Sequence, residues 1–141
     1  FRFNATTGLV DMGYTTTTSL LPNNFIFTIY YDQATDTKWV GTNGGLAKID
    51  AAGVVTAYTT ATLGAALPGN VVYALAKDKA GTMWIGTLNG LASLSSAGIW
   101  KTYTAATSGL PGDRINAIVV DENNNKWIGT ETGLTVCNAC Q

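Results

Sequence analysis

The sequence predicts an all-β chain of the β-propeller type. It reads as four-stranded antiparallel blades, about three per chain, with one blade split between the two termini. Three observations predict this. One phrase recurs at Lys38–Leu46 (KWVGTNGGL), Met83–Leu91 (MWIGTLNGL) and Lys126–Leu134 (KWIGTETGL), so that Trp39, Trp84 and Trp127 fall 45 and 43 residues apart. Two further phrases keep the same time: Leu21-Pro22, Leu67-Pro68 and Leu110-Pro111, and Tyr14-Thr15-Thr16, Tyr58-Thr59-Thr60 and Tyr103-Thr104-Ala105. Gly, Thr and β-branched residues dominate and no 3.6-residue periodicity survives, which excludes a helical solenoid.

In chain order, residues 1–15 form a partial blade. Phe1–Asn4 aligns with Lys48-Ile49-Asp50 as the end of a third strand, Ala5–Gly8 turns, and Leu9–Thr15 is a fourth strand. Residues 25–60 and 71–104 are whole blades. In the latter, Val71–Asp78 is apolar at nearly every position, as a strand buried on both faces should be. Asp78–Gly81 turns into Thr82–Thr87, and Asn89-Gly90 is a hairpin signal leading to Leu91–Ser95. Ser96–Gly98 turns again, into Ile99–Thr104. Residues 115–141 supply strands one to three of a last blade, so the third strand is represented twice. Gly41, Gly86 and Gly129 each follow a repeat Trp by two residues. With Trp39, Trp84 and Trp127 they are read as the blade-packing set, an aromatic of one blade lying over the next blade's Gly.

The phrase D-x-x-G/N-x-x-W-I/V-G-T-x-x-G-L, at Asp78–Leu91, resembles the two-component regulator propeller repeat. Asp121–Leu134 is similar, with Asn124 and Asn125 near the turn Gly, and Asp32–Leu46 is similar with one extra residue in the turn. The resemblance implies a β-propeller blade. It also implies kinship with the periplasmic sensor propellers of bacterial hybrid two-component systems and with secreted and surface proteins.

Composition bounds the task. The chain has 141 residues, is 46% hydrophobic and only 12% charged, and carries a net charge of −1. Nothing in that balance attracts nucleic acid, and no apolar run has the length of a membrane span. The sparsely charged surface suits an extracellular or cell-surface protein, with the periplasm as alternative. The start at Phe1 is read as that of a mature chain whose leader has been removed, and Asn4-Ala5-Thr6 is a formal glycosylation sequon.

Chemistry is mostly missing. Without His there is no Ser-His-Asp or Cys-His site, and no catalytic residue, cofactor or metal is expected. Asp32, Asp78 and Asp121 share one repeat position and are read as turn acceptors rather than general bases. Asp121–Asn125 is oxygen-rich but lacks EF-hand spacing. Cys137 and Cys140 form a C-x-x-C with no helix to follow, so a disulfide within or between chains is expected. With Phe1 and Phe3 they mark the expected inter-chain junction. The ligand face of a closed propeller would gather Asn43, Asn70, Asn89, Asp113, Arg114 and Glu131, where a small molecule or glycan could bind. Since natural propellers need about four blades or more to close, the expected partners are other copies of the chain, in a ring or a fibre. A ligand-sensing propeller and an oligomeric lectin are the alternatives.

Overall fold

The computed structural model describes residues 2–138. The described residues form four antiparallel sheets. β1 (Arg2–Asn4) pairs with β2 (Leu9–Met12). Blade I is β3 (Ile26–Asp32), β4 (Thr37–Thr42), β5 (Gly45–Ile49) and β6 (Val55–Tyr58), hydrogen-bonded in that order. Blade II repeats it with β7 (Val72–Lys77), β8 (Met83–Thr87), β9 (Gly90–Leu94) and β10 (Trp100–Tyr103). Blade III has β11 (Ile115–Val120), β12 (Lys126–Thr130) and β13 (Leu134–Cys137). Two four-residue helices, α1 (Thr60–Leu63) and α2 (Ala105–Ser108), interrupt the loops that lead from one blade to the next.

Each residue of the repeated phrase has a local task. Thr42 and Thr87 are buried, and each hydroxyl donates to the carbonyl of Gly45 or Gly90 at 2.8 Å, closing the hairpin between second and third strands. Thr130 does the same to Gly133 at 3.0 Å. Gly45 and Gly90 have φ of 147° and 139°, a region that an L side chain rarely enters. The Leu that follows each of these two glycines, Leu46 or Leu91, is buried in the core.

The first strand of every blade carries one extra residue, at Phe27, Tyr73 and Asn116, where the register shifts. This bulge decides which way side chains point. Val72 and Leu75 pair with Thr87 and Ile85 and therefore share the face turned to blade I, here called the front. Ala74 and Ala76 pair with Gly86 and Trp84 and share the rear face, turned to blade III. The first strand is thus less uniformly buried than its composition predicts: Tyr73, Leu75 and Lys77 are half-buried.

Among the described residues, two cores fill the joints between blades and a third lies on the front of blade I. Trp39 and Leu46 from the rear of blade I meet Leu67, Val72, Met83, Ile85 and Ala92. Trp84 and Leu91 from the rear of blade II meet Leu110, Ile115, Ile118 and Ile128. Leu21, Val40, Ala47, Ile49 and Val55 form the front core of blade I, with Tyr14 against it. The repeated Leu-Pro phrase therefore supplies one leucine to each core: Leu21, Leu67 and Leu110.

Candidate functional site

The joints between blades are where this chain concentrates its chemistry. At the joint of blades II and III, the Trp84 Nε1 donates to Asp78 Oδ2 at 3.0 Å. The other oxygen of Asp78 accepts from the amides of Ala80 and Thr82, at 3.0 and 2.9 Å, which shapes the turn. Lys126 of blade III then reaches back: its Nζ lies 3.4 Å from Asp78 Oδ2 and 5.6 Å from the centre of the Trp84 ring. Burial pushes the Asp78 carboxyl up, but the hydrogen bonds from Trp84 and Thr82 and the charge of Lys126 outweigh it and hold the group below the ordinary aspartate value.

The joint of blades I and II is wired differently. Asp32 Oδ2 accepts from Lys77 of blade II at 2.6 Å, and that bond holds the Asp32 carboxyl low. Trp39 stacks on Tyr58 with centroids 6.1 Å apart, Tyr58 meets Trp100 at 5.7 Å, and Lys48 Nζ lies 5.6 Å from the Trp39 ring centre. These groups line a cleft of about 400 Å³ between the two blades.

Two glycines of the packing set, Gly41 and Gly86, are notches filled by a neighbour, but not by an aromatic. A Cβ built on Gly41 would lie 2.8 Å from a methyl of Val72, and one on Gly86 would lie 2.6 Å from a methyl of Ile115. The next blade's β-branched residue occupies the notch, beside Thr28 or Ala74 of the glycine's own sheet.

Blade III has the same equipment on its rear face, which no other blade among the described residues covers. Trp127 Nε1 donates to Asp121 Oδ2 at 2.9 Å, and Asn125 Nδ2 donates to the same oxygen at 2.8 Å. The Trp127 bond, then those of Asn125, bring Asp121 down to about 2. The oxygen-rich loop is thus engaged in its own turn, and among the described residues no group of three His, Cys, Asp or Glu side chains gathers as a metal-ligand set. Trp39 and Trp84 are 8% and 1% exposed, but Trp127 is 41% exposed; Leu46 and Leu91 are 0% and 2% exposed, but Leu134 is 66% exposed. Among the described residues, a Cβ on Gly129 would meet only Ala117 of its own sheet, at 3.7 Å. At the other end, the front of blade I opens into a largely apolar pocket of about 580 Å³, lined by Met12, Tyr14, Ile26, Ile29, Lys38 and Val40 among others.

On the expected ligand face, two residues turn out to be clamps. Asn70 Oδ1 accepts from the Thr60 amide at 2.8 Å and Asp113 Oδ1 from the Ala105 amide at 2.7 Å, as Asn24 does from Thr16 at 3.0 Å. Each holds the start of an interblade loop whose Thr-x-x-Thr residues cap one another. Asn43, Asn89, Arg114 and Glu131 are exposed, and the Arg114 guanidinium lies 4.9 Å from the Tyr73 ring centre, which itself meets Phe27 at 5.0 Å. Of the expected junction, Phe3 pairs with Val10 in β1–β2 and Cys137 is disulfide-bonded, while Phe1 and Cys140 lie outside the described residues.

Sequence reasoning missed the lysines. Lys38 and Lys126 stand immediately before a repeat Trp, where blade II has Met83. That repeat-breaking substitution was the available signal.

These aspartates make a pH prediction. Asp32, Asp78 and Asp121 all titrate lower folded than unfolded, so their contribution is complete above the unfolded value of about 3.9 and is lost as pH falls through the folded values. With no His in the chain, the urea midpoint is expected to stay flat from about pH 5 to 8 and to fall from about pH 4 towards 2. Urea titrations across that range check it.

The repeat geometry, with its Trp–Asp bond, Thr-closed hairpin and Gly notch, has a counterpart among known families. Residues 66–89 and 109–132 match the family model for the two-component regulator propeller. Those two segments are two-component regulator propeller repeats. The chain superposes on the extracellular domain of a hybrid two-component system from B. thetaiotaomicron with a TM-score of 0.77 and 27% identity, over 90% of this chain and 17% of that one. PorZ, a surface component of the type-IX secretion system of Porphyromonas gingivalis, gives a TM-score of 0.65 and 20% identity, over 80% of this chain and 17% of its own. The virginiamycin B lyase of Staphylococcus aureus gives 0.60 and 18%, over 84% and 43%. The last two show a shared fold alone. No curated protein sequence matches the chain. The chain spans about a sixth of the first two solved relatives. Among the described residues no helix is long and apolar enough to cross a membrane.

Proposed function

We propose that this chain is an extracellular, non-enzymatic propeller protein whose work is assembly, joining further copies of itself through its open blade faces into a ring or a fibre. One observation carries the reading: the rear face of blade III exposes Val119, Trp127, Leu134 and Val136 together, while the matching tryptophans and leucines of blades I and II lie buried under the next blade. A contiguous apolar patch of that kind marks an interaction surface. The front of blade I, with exposed Ile26, Ile29 and Tyr31, is its counterpart. A rear face that fits a front face makes a head-to-tail contact, which closes into a ring or runs on as a fibre. The absence of His from the sequence and the engagement of the repeat aspartates in turns and joints support the non-enzymatic part.

Light scattering with negative-stain images tests this. A discrete closed oligomer or a regular fibre is the expected result; a monomer at every concentration overturns it.

A second reading is favoured by the 27% identity and TM-score of 0.77 to the extracellular domain of the hybrid two-component system. In it, the chain is a ligand-sensing portion of a two-component-type sensor, and further blades of a longer chain cover the open faces. A lectin role is favoured by the cleft between blades I and II, where Trp39, Tyr58 and Trp100 stand beside Lys48. A glycan array without binding removes that one.

A further inference from the structure

We infer, resting on the assembly reading above, that the joint between copies repeats the joint of blades II and III position by position. Trp127 of one copy enters the front pocket of blade I in the next, Asp121 meets Lys38, and Ile26 seats over Gly129.

The joint of blades II and III is the template. There Trp84 packs with Ile115, Ile118 and Ile128, beneath Lys126. The strand registers put Ile26, Ile29, Lys38 and Val40 at the same places on blade I that Ile115, Ile118, Lys126 and Ile128 hold on blade III. All four line the 580 Å³ pocket. The pocket therefore presents, on the front of blade I, the four positions that surround Trp84 at the joint of blades II and III.

Charge selects this wiring over the other one present in the chain. The joint of blades I and II joins Asp32 to Lys77 of the following first strand. Blade I has Tyr31 at the position of Lys77, so that joint cannot recur there. Blade I does have Lys38 at the position of Lys126, and Asp121 already holds Trp127 as Asp78 holds Trp84. In the single chain Lys38 is held at 2.6 Å by Asp36, in its own turn, and lies 5.5 Å from the Tyr31 ring centre. Docking brings Asp121 to it as Asp78 is brought to Lys126.

Shape agrees. Gly41 and Gly86 are notches filled by Val72 and Ile115, which follow the same bend into the first strand as Ile26. Gly129 is the notch left open and Ile26 the key left exposed. Docking also brings β13 to where β1 pairs with β2, so one third strand gives place to the other.

The test mixes isotope-labelled and unlabelled protein and treats the assembled fraction with a carbodiimide, which joins a carboxylate to a lysine amine in contact with it. The Lys38–Asp36 link within one copy is the reaction control. A mixed-isotope Lys38–Asp121 peptide is expected. Trp127→Ala is expected to fold, since its side chain is half out in solvent, and to weaken association at least about 30-fold, as loss of an interface hot spot does. Assembly that Trp127→Ala leaves unchanged, with mixed links only elsewhere, overturns the wiring and keeps the assembly. No association at any concentration overturns both.

Discussion

Trp84→Ala is expected to destabilise the chain by about 3–5 kcal/mol, while Trp127→Ala costs the single chain about 1 kcal/mol or less. The two tryptophans stand at one repeat position with the same bond to an aspartate, at 3.0 and 2.9 Å. Only their surroundings differ. Trp84 is buried against Ile115, Ile118 and Ile128, and its removal also leaves the Asp78–Lys126 pair without the ring that covers it. Trp127 has no such cover. Urea unfolding of the two variants at a concentration where the chain is monomeric reads the difference. Equal losses would mean that the rear of blade III is packed as tightly as that of blade II.

Gly41→Ala is expected to cost about 3 kcal/mol, at the upper end of ordinary overpacking. Its new Cβ would lie 2.6 Å from the Thr28 methyl, and 2.8 Å from both a methyl and the carbonyl oxygen of Val72. A side chain can turn aside, but the Val72 backbone is the first strand of the next blade and cannot move without opening the joint. Gly129→Ala is the contrasting change. Its Cβ meets Ala117 at an ordinary 3.7 Å. Alanine loses less entropy than glycine in a strand, so the single chain is expected to gain up to about 1 kcal/mol. The same methyl fills the notch proposed for Ile26, so association weakens as folding strengthens. Paired unfolding and sedimentation measurements check both halves.

The blades themselves were legible in the sequence because their demands are local. A Trp, a Gly two residues later, a Thr to close the hairpin and a Gly at positive φ recur at fixed spacing, and each has a reason within one sheet. What lies between sheets was not legible. Which residue of β7 faces which neighbour depends on the extra residue at Tyr73, and simple alternation along the strand does not reveal it. The occupant of the Gly notch was therefore expected to be aromatic and is Val72 or Ile115 instead. The ion pairs Asp32–Lys77 and Asp78–Lys126 join residues more than forty positions apart, so no motif contains both members. Asn70 and Asp113 were placed on a ligand face for their polarity and exposed loops, but their side chains tie down the loop they stand in. The helices α1 and α2 rest on Thr pairs three residues apart, a signal too short to distinguish from the threonine-rich background.

Amide hydrogen exchange at low and high protein concentration tests the central claim most directly. If the rear of blade III is the surface that receives the next copy, protection of β12 and β13 rises with concentration while β8 and β9, already covered on both faces, keep theirs. Protection of β12 and β13 that is independent of concentration, in a solution concentrated well beyond any working range, would contradict it.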